Sequence, residues 1–240
     1  MRTDPMVLMY HSVEPYAEDP YQITVSPRRF ERQLRWLRRR GLRGVSVREL
    51  LAARAAGTAA GLVGLTFDDG YEDFVTRVMP QLARHRWTAS VYIVAGALGG
   101  YNAWDTPGPR KDLMTADDVR RAADAGIEIG SHSLSHCRLT ECATSTLADE
   151  IGHSRVVLSD LTGVDVDGFC YPYGAAGVRE IDMVRAAGYG YACAVGPGDL
   201  AGPHALPRTY IGDKDSAPRL YAKWLRHGLR ARQSTVDGVR

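Results

Sequence analysis

Along this chain, short apolar runs alternate with stretches whose apolar residues recur every three to four positions. Val7–Tyr10 is the first short run. Ser26-Pro27 reads as a helix N-cap followed by proline at the first helical position; Phe30, Leu34 and Leu37 mark one face, and Gly41 ends it. Ser46 and Glu49 have capping-box spacing for a second helix through about Ala56. Leu62–Phe67 is a predicted strand that runs into Asp68-Asp69-Gly70, and residues 74–85 are a predicted helix. Further strands are predicted over residues 89–94, 127–130, 166–171, 189–195 and 206–211. Helices are predicted over residues 115–125, 144–161 and 177–187, with a terminal helix over 218–232.

Strands separated by single helices call for parallel pairing with right-handed crossovers. About seven such units without an internal linker favour one closed or nearly closed β/α barrel over an open doubly wound sheet. No GxGxxG or Walker pattern follows the first strand, which argues against a nucleotide-binding fold. The longest irregular stretch is 96–112, with several Gly and Pro residues around Tyr101-Asn102-Ala103-Trp104-Asp105. A loop of that length is usually functional or mobile.

Composition narrows the classes. The 240 residues are 45% hydrophobic and 24% charged, enough to bury a substantial core as a single domain, 1–240, with 215–240 a basic helix and tail. With 30 Lys+Arg against 28 Asp+Glu the net charge is +2, not the basic excess of a dedicated nucleic-acid binder. The cysteines are Cys137, Cys142, Cys170 and Cys193; with no CxxC pair they are expected to be small core residues or free thiols. The first apolar run is too short for a secretory signal, and no run approaches the roughly 20 residues of a spanning helix. The expectation is a cytoplasmic protein without a transmembrane segment. The pattern is silent on oligomeric state.

Polar clusters fall at predicted strand ends: His11, Asp68-Asp69, His132 with His136, and Tyr171-Pro172-Tyr173-Gly174. In a parallel barrel the carboxyl ends of all strands share one face, so these groups converge. On a helical turn, the His132–His136 spacing puts both imidazoles on one side, as a metal needs. One carboxylate more completes a His₂-Asp site with open positions, and Asp69 is the natural candidate. Adjacent carboxylates at a strand end cannot both project the same way, which assigns Asp69 to the metal and Asp68 to a water molecule. Such donors suit one divalent ion, Zn2+ first, with Fe2+, Co2+ and Ni2+ as alternatives. Taken singly, the same residues also read as surface histidines and as an Asp-Gly turn with helix-capping acids.

Thr66-Phe67-Asp68-Asp69-Gly70, Ser131-His132-Ser133-Leu134-Ser135-His136 and Phe169-Cys170-Tyr171-Pro172-Tyr173-Gly174 resemble, in that order, the motifs of the polysaccharide deacetylases (the NodB-homology, carbohydrate esterase 4 family). Leu8-Met9-Tyr10-His11 is similar to the branch of the poly-N-acetylglucosamine deacetylases. The resemblance implies a distorted (β/α)7 TIM-like barrel and metal-dependent removal of an acetyl group from a sugar. It implies Asp68 as catalytic base, Asp69, His132 and His136 as metal ligands, the Tyr173 N–H as oxyanion donor and His11 as general acid.

Two positions depart from the family. Cys170 stands where most members carry the arginine that orients the base, and the late Leu-x-x-His pattern is absent, His204 being a poor match. Arg208 is therefore expected to replace the missing guanidinium beside Asp68, with His11 as the acid and His204 as the alternative. Tyr171, Pro172, Asn102 and Trp104 are candidate sugar-binding residues; a Trp in this loop serves equally as an anchor to the barrel rim. The terminal helix sets Leu220, Tyr221, Trp224, Leu225 and Leu229 against Arg219, Lys223, Arg226, Arg230 and Arg232, a pattern that suits packing on the barrel and also peripheral membrane contact through 218–232. No GxSxG elbow supports a covalent route. The expected function is N-deacetylation of an N-acetylated amino sugar in a polymer, glycolipid or small glycoside. The alternatives are deacylation or deformylation of a non-polymeric metabolite, and a catalytically silent sugar-binding protein.

Overall fold

The structure, a computed structural model, describes residues 6–237, with side chains described through residue 229. Its strands are β1 (Val7–Tyr10), β2 (Ser12–Val13), β3 (Thr24–Val25), β4 (Arg43–Val45), β5 (Leu62–Phe67), β6 (Ser90–Ile93), β7 (Glu128–Ser131), β8 (Gly168–Cys170), β9 (Tyr191–Ala194), β10 (Leu206–Pro207) and β11 (Thr209–Tyr210). Its α-helices are α1 (Pro27–Arg39), α2 (Val47–Ala56), α3 (Met79–His85), α4 (Ala116–Asp124), α5 (Thr144–Ala148), α6 (Ser154–Thr162), α7 (Val178–Ala186) and α8 (Ala217–Asp237). The helix starts follow the sequence signals. The Ser46 side chain accepts from the Glu49 N–H, and Thr115 and Asp118 form a reciprocal capping box, each such cap worth about 1 kcal/mol.

All strand pairings in the main sheet are parallel, in the order β10-β9-β8-β7-β6-β5-β1-β11. β10 and β11 are two halves of one segment that changes partner at Arg208. Leu206 and Pro207 pair with β9, and Thr209 pairs with Leu8 of β1. That switch closes a ring of seven staves, a distorted (β/α)7 barrel with the helices outside. The distortion sits between β5 and β6: β4 pairs with the first half of β5, and β6 takes over only at Thr66. The predicted strands and helices are present within a few residues, whereas β2, β3 and β4 are too short for a periodic signal.

Strand alternation decides what enters the barrel. Phe67 faces the helix layer, stacked 5.2 Å from Tyr10 and 5.1 Å edge-on from Phe74. Its neighbours Thr66 and Asp68 therefore turn to the opposite side. The terminal helix packs by Leu220, which is buried, and by Tyr221 and Trp224, which with Trp36 surround the Arg40 guanidinium at 4.6, 5.4 and 4.7 Å. Leu225 and Leu229 on the same helix are exposed, and the side chains of Arg230 and Arg232 lie outside the described residues. Among the described residues, no helix is long and apolar enough to cross a membrane.

Candidate active site

The carboxyl ends of the strands gather one polar cluster. Asp69 follows β5, and its Oδ1 lies 3.3 Å from His132 Nε2 and 3.2 Å from His136 Nε2, with all three residues buried. Three electron-pair donors facing each other in a dry pocket fit a bound cation, which removes the cost of leaving them together. The second nitrogen supports this at His132. Its Nδ1 lies 2.8 Å from the Cys170 carbonyl, and an N–H donated there leaves the Nε2 lone pair facing the cluster.

The two histidines do not share a helical turn, as their spacing suggested. His132 directly follows β7, and a tight loop brings His136 back beside it. Ser133 and His136 hold φ of 66° and 61°, and the Ser133 hydroxyl accepts from the His136 N–H at 3.0 Å. Asp69 and Tyr173 are also left-handed, at 71° and 58°. Six non-glycine residues have positive φ among the described residues, and four of them belong to this cluster. Strained backbone of this kind concentrates where side chains must be aimed.

Asp68, beside the same His132, is gripped by Arg208. Nη1 donates to Oδ1 at 2.6 Å and Nη2 to Oδ2 at 2.8 Å, with both side chains buried. Nη1 also reaches Thr66 Oγ1 at 3.1 Å, and Nη2 lies 3.0 Å from Cys170 Sγ. The small Cys170 side chain thus leaves room for a guanidinium that arrives from the closing segment instead. Burial alone would raise the Asp68 pKa; the Arg208 guanidinium outweighs it and holds the carboxyl below its ordinary range. At Asp69 burial is likewise outweighed, here by the facing imidazoles of His132 and His136, and its pKa lies well below the ordinary value. His132 is lowered by burial but raised further by Asp69 and Asp68, so it titrates above the usual histidine range. His11 stands at the rim with Nε2 3.9 Å from Asp68 Oδ2, its side chain 18% exposed.

The long loop covers this cluster. Trp104 stacks on His136, with ring centroids 4.4 Å apart and planes 25° apart, and its Nε1 is buried without a partner among the described residues. Tyr173, half-exposed, meets His136 edge-on at 4.8 Å and carries the Arg138 guanidinium on its outer face at 4.5 Å. The loop is tied down rather than loose. Tyr71 donates to Asp105 Oδ2 at 3.1 Å, Asn102 Nδ2 donates to the same oxygen at 3.2 Å, and the Lys111 N–H donates to Asn102 Oδ1 at 2.7 Å.

Three expected contacts change as a result. Asn102 is buried with its amide spent on the loop, so it positions Trp104 and does not face an opening. Tyr171 is fully buried and donates its hydroxyl to the His204 carbonyl at 2.9 Å, and Pro172 is buried beside it. Their side chains belong to the wall behind the site. His204 places Nε2 2.8 Å from the Tyr189 carbonyl, alongside the amino end of β9 and away from the face where Asp68 lies. Tyr71 escaped the sequence reading, and Asp105 was named only as part of the long loop, without its role of holding Tyr71 and Asn102. Nothing in a linear pattern shows that a tyrosine two positions after Asp69 will bond an acid 34 residues on.

Comparisons with known proteins agree with this geometry. Residues 55–192 match the family model described as polysaccharide deacetylase. The chain is 23% identical over 210 residues to a putative polysaccharide deacetylase, YxkH, of Bacillus subtilis, covering 85% of this chain and 70% of that one. It is 28% identical over 255 residues to the poly-β-1,6-N-acetyl-D-glucosamine N-deacetylase of Escherichia coli, covering 88% of this chain but only 37% of that longer protein. In fold it is similar to IcaB from Ammonifex degensii (TM-score 0.76, 23% identity, 92% of this chain and 97% of that chain covered). It is similar also to the Streptococcus pyogenes deacetylase PplD in complex with acetate (TM-score 0.74, 20% identity, 91% and 96% covered). With more than half of its length matched and the motif residues assembled at one barrel mouth, the chain belongs to the polysaccharide deacetylase family.

Proposed function

We propose that this protein is a metal-dependent N-deacetylase that hydrolyses an acetamido group of an N-acetylated amino sugar to amine and acetate. The observation that carries the reading is the convergence of ligand atoms from Asp69, His132 and His136 within 4.8 Å of one another, beside a carboxylate that Arg208 holds charged. Asp69, His132 and His136 would hold a divalent ion, which when bound supplies a Lewis acid for the acetyl carbonyl and lowers the pKa of water.

Asp68 accepts the proton of the attacking water. Its charge is available because Arg208 offsets the burial that would otherwise neutralise it. Oδ2 is the oxygen nearest His11, so proton acceptance and proton donation to the leaving nitrogen occur on one side of the site. The Tyr173 N–H donates to the oxyanion, a contribution of about 3 kcal/mol for one such donor. The left-handed backbone there turns the peptide while its ring flanks His136. Trp104 and Tyr173 form apolar walls suited to an acetyl methyl and a pyranose face, and they exclude water from His136. The naming of the E. coli relative as a poly-β-1,6-N-acetyl-D-glucosamine deacetylase supports an amino-sugar polymer as the substrate class.

The test is acetate release from N-acetylglucosamine oligomers, with and without a chelator, for the wild type and Asp68→Asn. Chelator-sensitive release that Asp68→Asn abolishes supports the proposal. Saturable oligomer binding with no release in any metal would refute it in favour of a silent binding protein.

A further inference from the structure

Directly after His136 lie two thiols that the reaction does not use. Cys137 and Cys142 place their sulfurs 3.0 Å apart. Either thiol can donate a hydrogen bond to the other at that distance, which is about 1 Å longer than a disulfide bond. Both residues are partly exposed, unlike Cys170 and Cys193, which are buried. The backbone between them is already folded for closure. The Glu141 N–H donates to the Arg138 carbonyl at 2.9 Å and the Cys142 N–H to the Leu139 carbonyl at 3.1 Å. Leu139 is buried as an anchor, and Arg179 Nη2 donates to its carbonyl at 3.1 Å.

We propose that Cys137 and Cys142 are an oxidation site that closes to an intramolecular disulfide across this turn. Two S–H bonds are lost and one S–S bond forms. A small-molecule disulfide such as oxidised glutathione takes up the two electrons and both protons, leaving as two thiols after a mixed-disulfide step on Cys137 or Cys142. The bond staples the residue after His136 to the far end of the segment carrying Arg138, whose guanidinium packs on the Tyr173 ring. It thereby braces one side of the candidate metal cluster. The proposal stands on this turn alone and holds whatever the reaction is.

The full chain is incubated with oxidised glutathione in mildly alkaline buffer, alkylated, and digested with trypsin without reduction. Trypsin cleaves after Arg138, so the two cysteines fall on separate fragments, residues 122–138 and 139–155. The expected result is a linked pair of these fragments, separable by reductant. A rise in melting temperature of roughly 4 °C in the oxidised wild type is also expected, with no rise in Cys142→Ser. Recovery of Cys137 and Cys142 only as separate alkylated or glutathione-capped thiols overturns the proposal. So does a link that runs between two molecules, or a rise of equal size in Cys142→Ser.

Discussion

Arg208→Ala removes the guanidinium from the most tightly built ion pair of the site. The perturbation is well defined, because Arg208 makes two hydrogen bonds of 2.6 and 2.8 Å to Asp68 and both side chains are buried. Deleting one partner of a buried pair leaves an uncompensated charge and costs about 3–5 kcal/mol. For a domain of this size that lowers the melting temperature on the order of 10 °C. The pH dependence carries a sign. In the wild type the Asp68 pKa is depressed, so the pair contributes stability above the unfolded carboxyl pKa of about 3.9 and loses it as pH falls through the folded value. In Arg208→Ala burial, the largest influence, is opposed only by His11 and His132 and raises the Asp68 pKa, so the carboxylate opposes folding as pH rises. The gap between the two proteins therefore widens with pH, and the acid limb of acetate release moves upward in the variant. Calorimetry from about pH 4 to about pH 8 reads the first effect, and initial rates of acetate release read the second. Parallel melting curves across that range, with undiminished release by Arg208→Ala, would refute the reasoning.

Trp104→Ala removes the stack on His136, and a fall of about tenfold or more in kcat/KM with an unchanged circular dichroism spectrum is expected. Asp73 offers a second pH test. Burial raises its carboxyl to about 6 although Ser12 and the Val13 N–H donate to it. A raised acid stabilises the fold below its unfolded pKa and loses that contribution as pH rises through about 6. Stability should thus decline by about 3 kcal/mol over that interval, and Asp73→Asn should flatten the profile in urea titrations.

Much of the fold was legible because β5 to β9 and their helices carry strong periodic signals and punctual caps. The short β4 was not, since Arg43–Val45 has too few residues to show a period and its place depends on partial pairing with β5. The site was legible wherever function sits at a strand end: His11, Asp68, Asp69 and His132 each follow a predicted strand. The loop that returns His136 was misread as a helical turn because a four-residue spacing fits both, and only the positive φ of Ser133 and His136 separates them. Arg208 could be anticipated because Cys170 left a carboxylate without its usual cation. Tyr171 and Asn102 face inward for reasons of packing that no motif records. The approach of Cys137 to Cys142 depends on a turn anchored by Leu139 and on a contact with Arg179 some 40 residues away.

The central claim is that Asp69, His132 and His136 share one divalent ion. Calorimetric titration of the metal-stripped protein with Zn2+ tests it most directly, alongside Asp69→Ala and His132→Ala proteins shown to be folded. One ion per chain is expected for the wild type, with affinity at least about a hundredfold weaker in each variant, since each loses one of three ligands. Equal zinc affinity in the wild type and both variants would contradict the account.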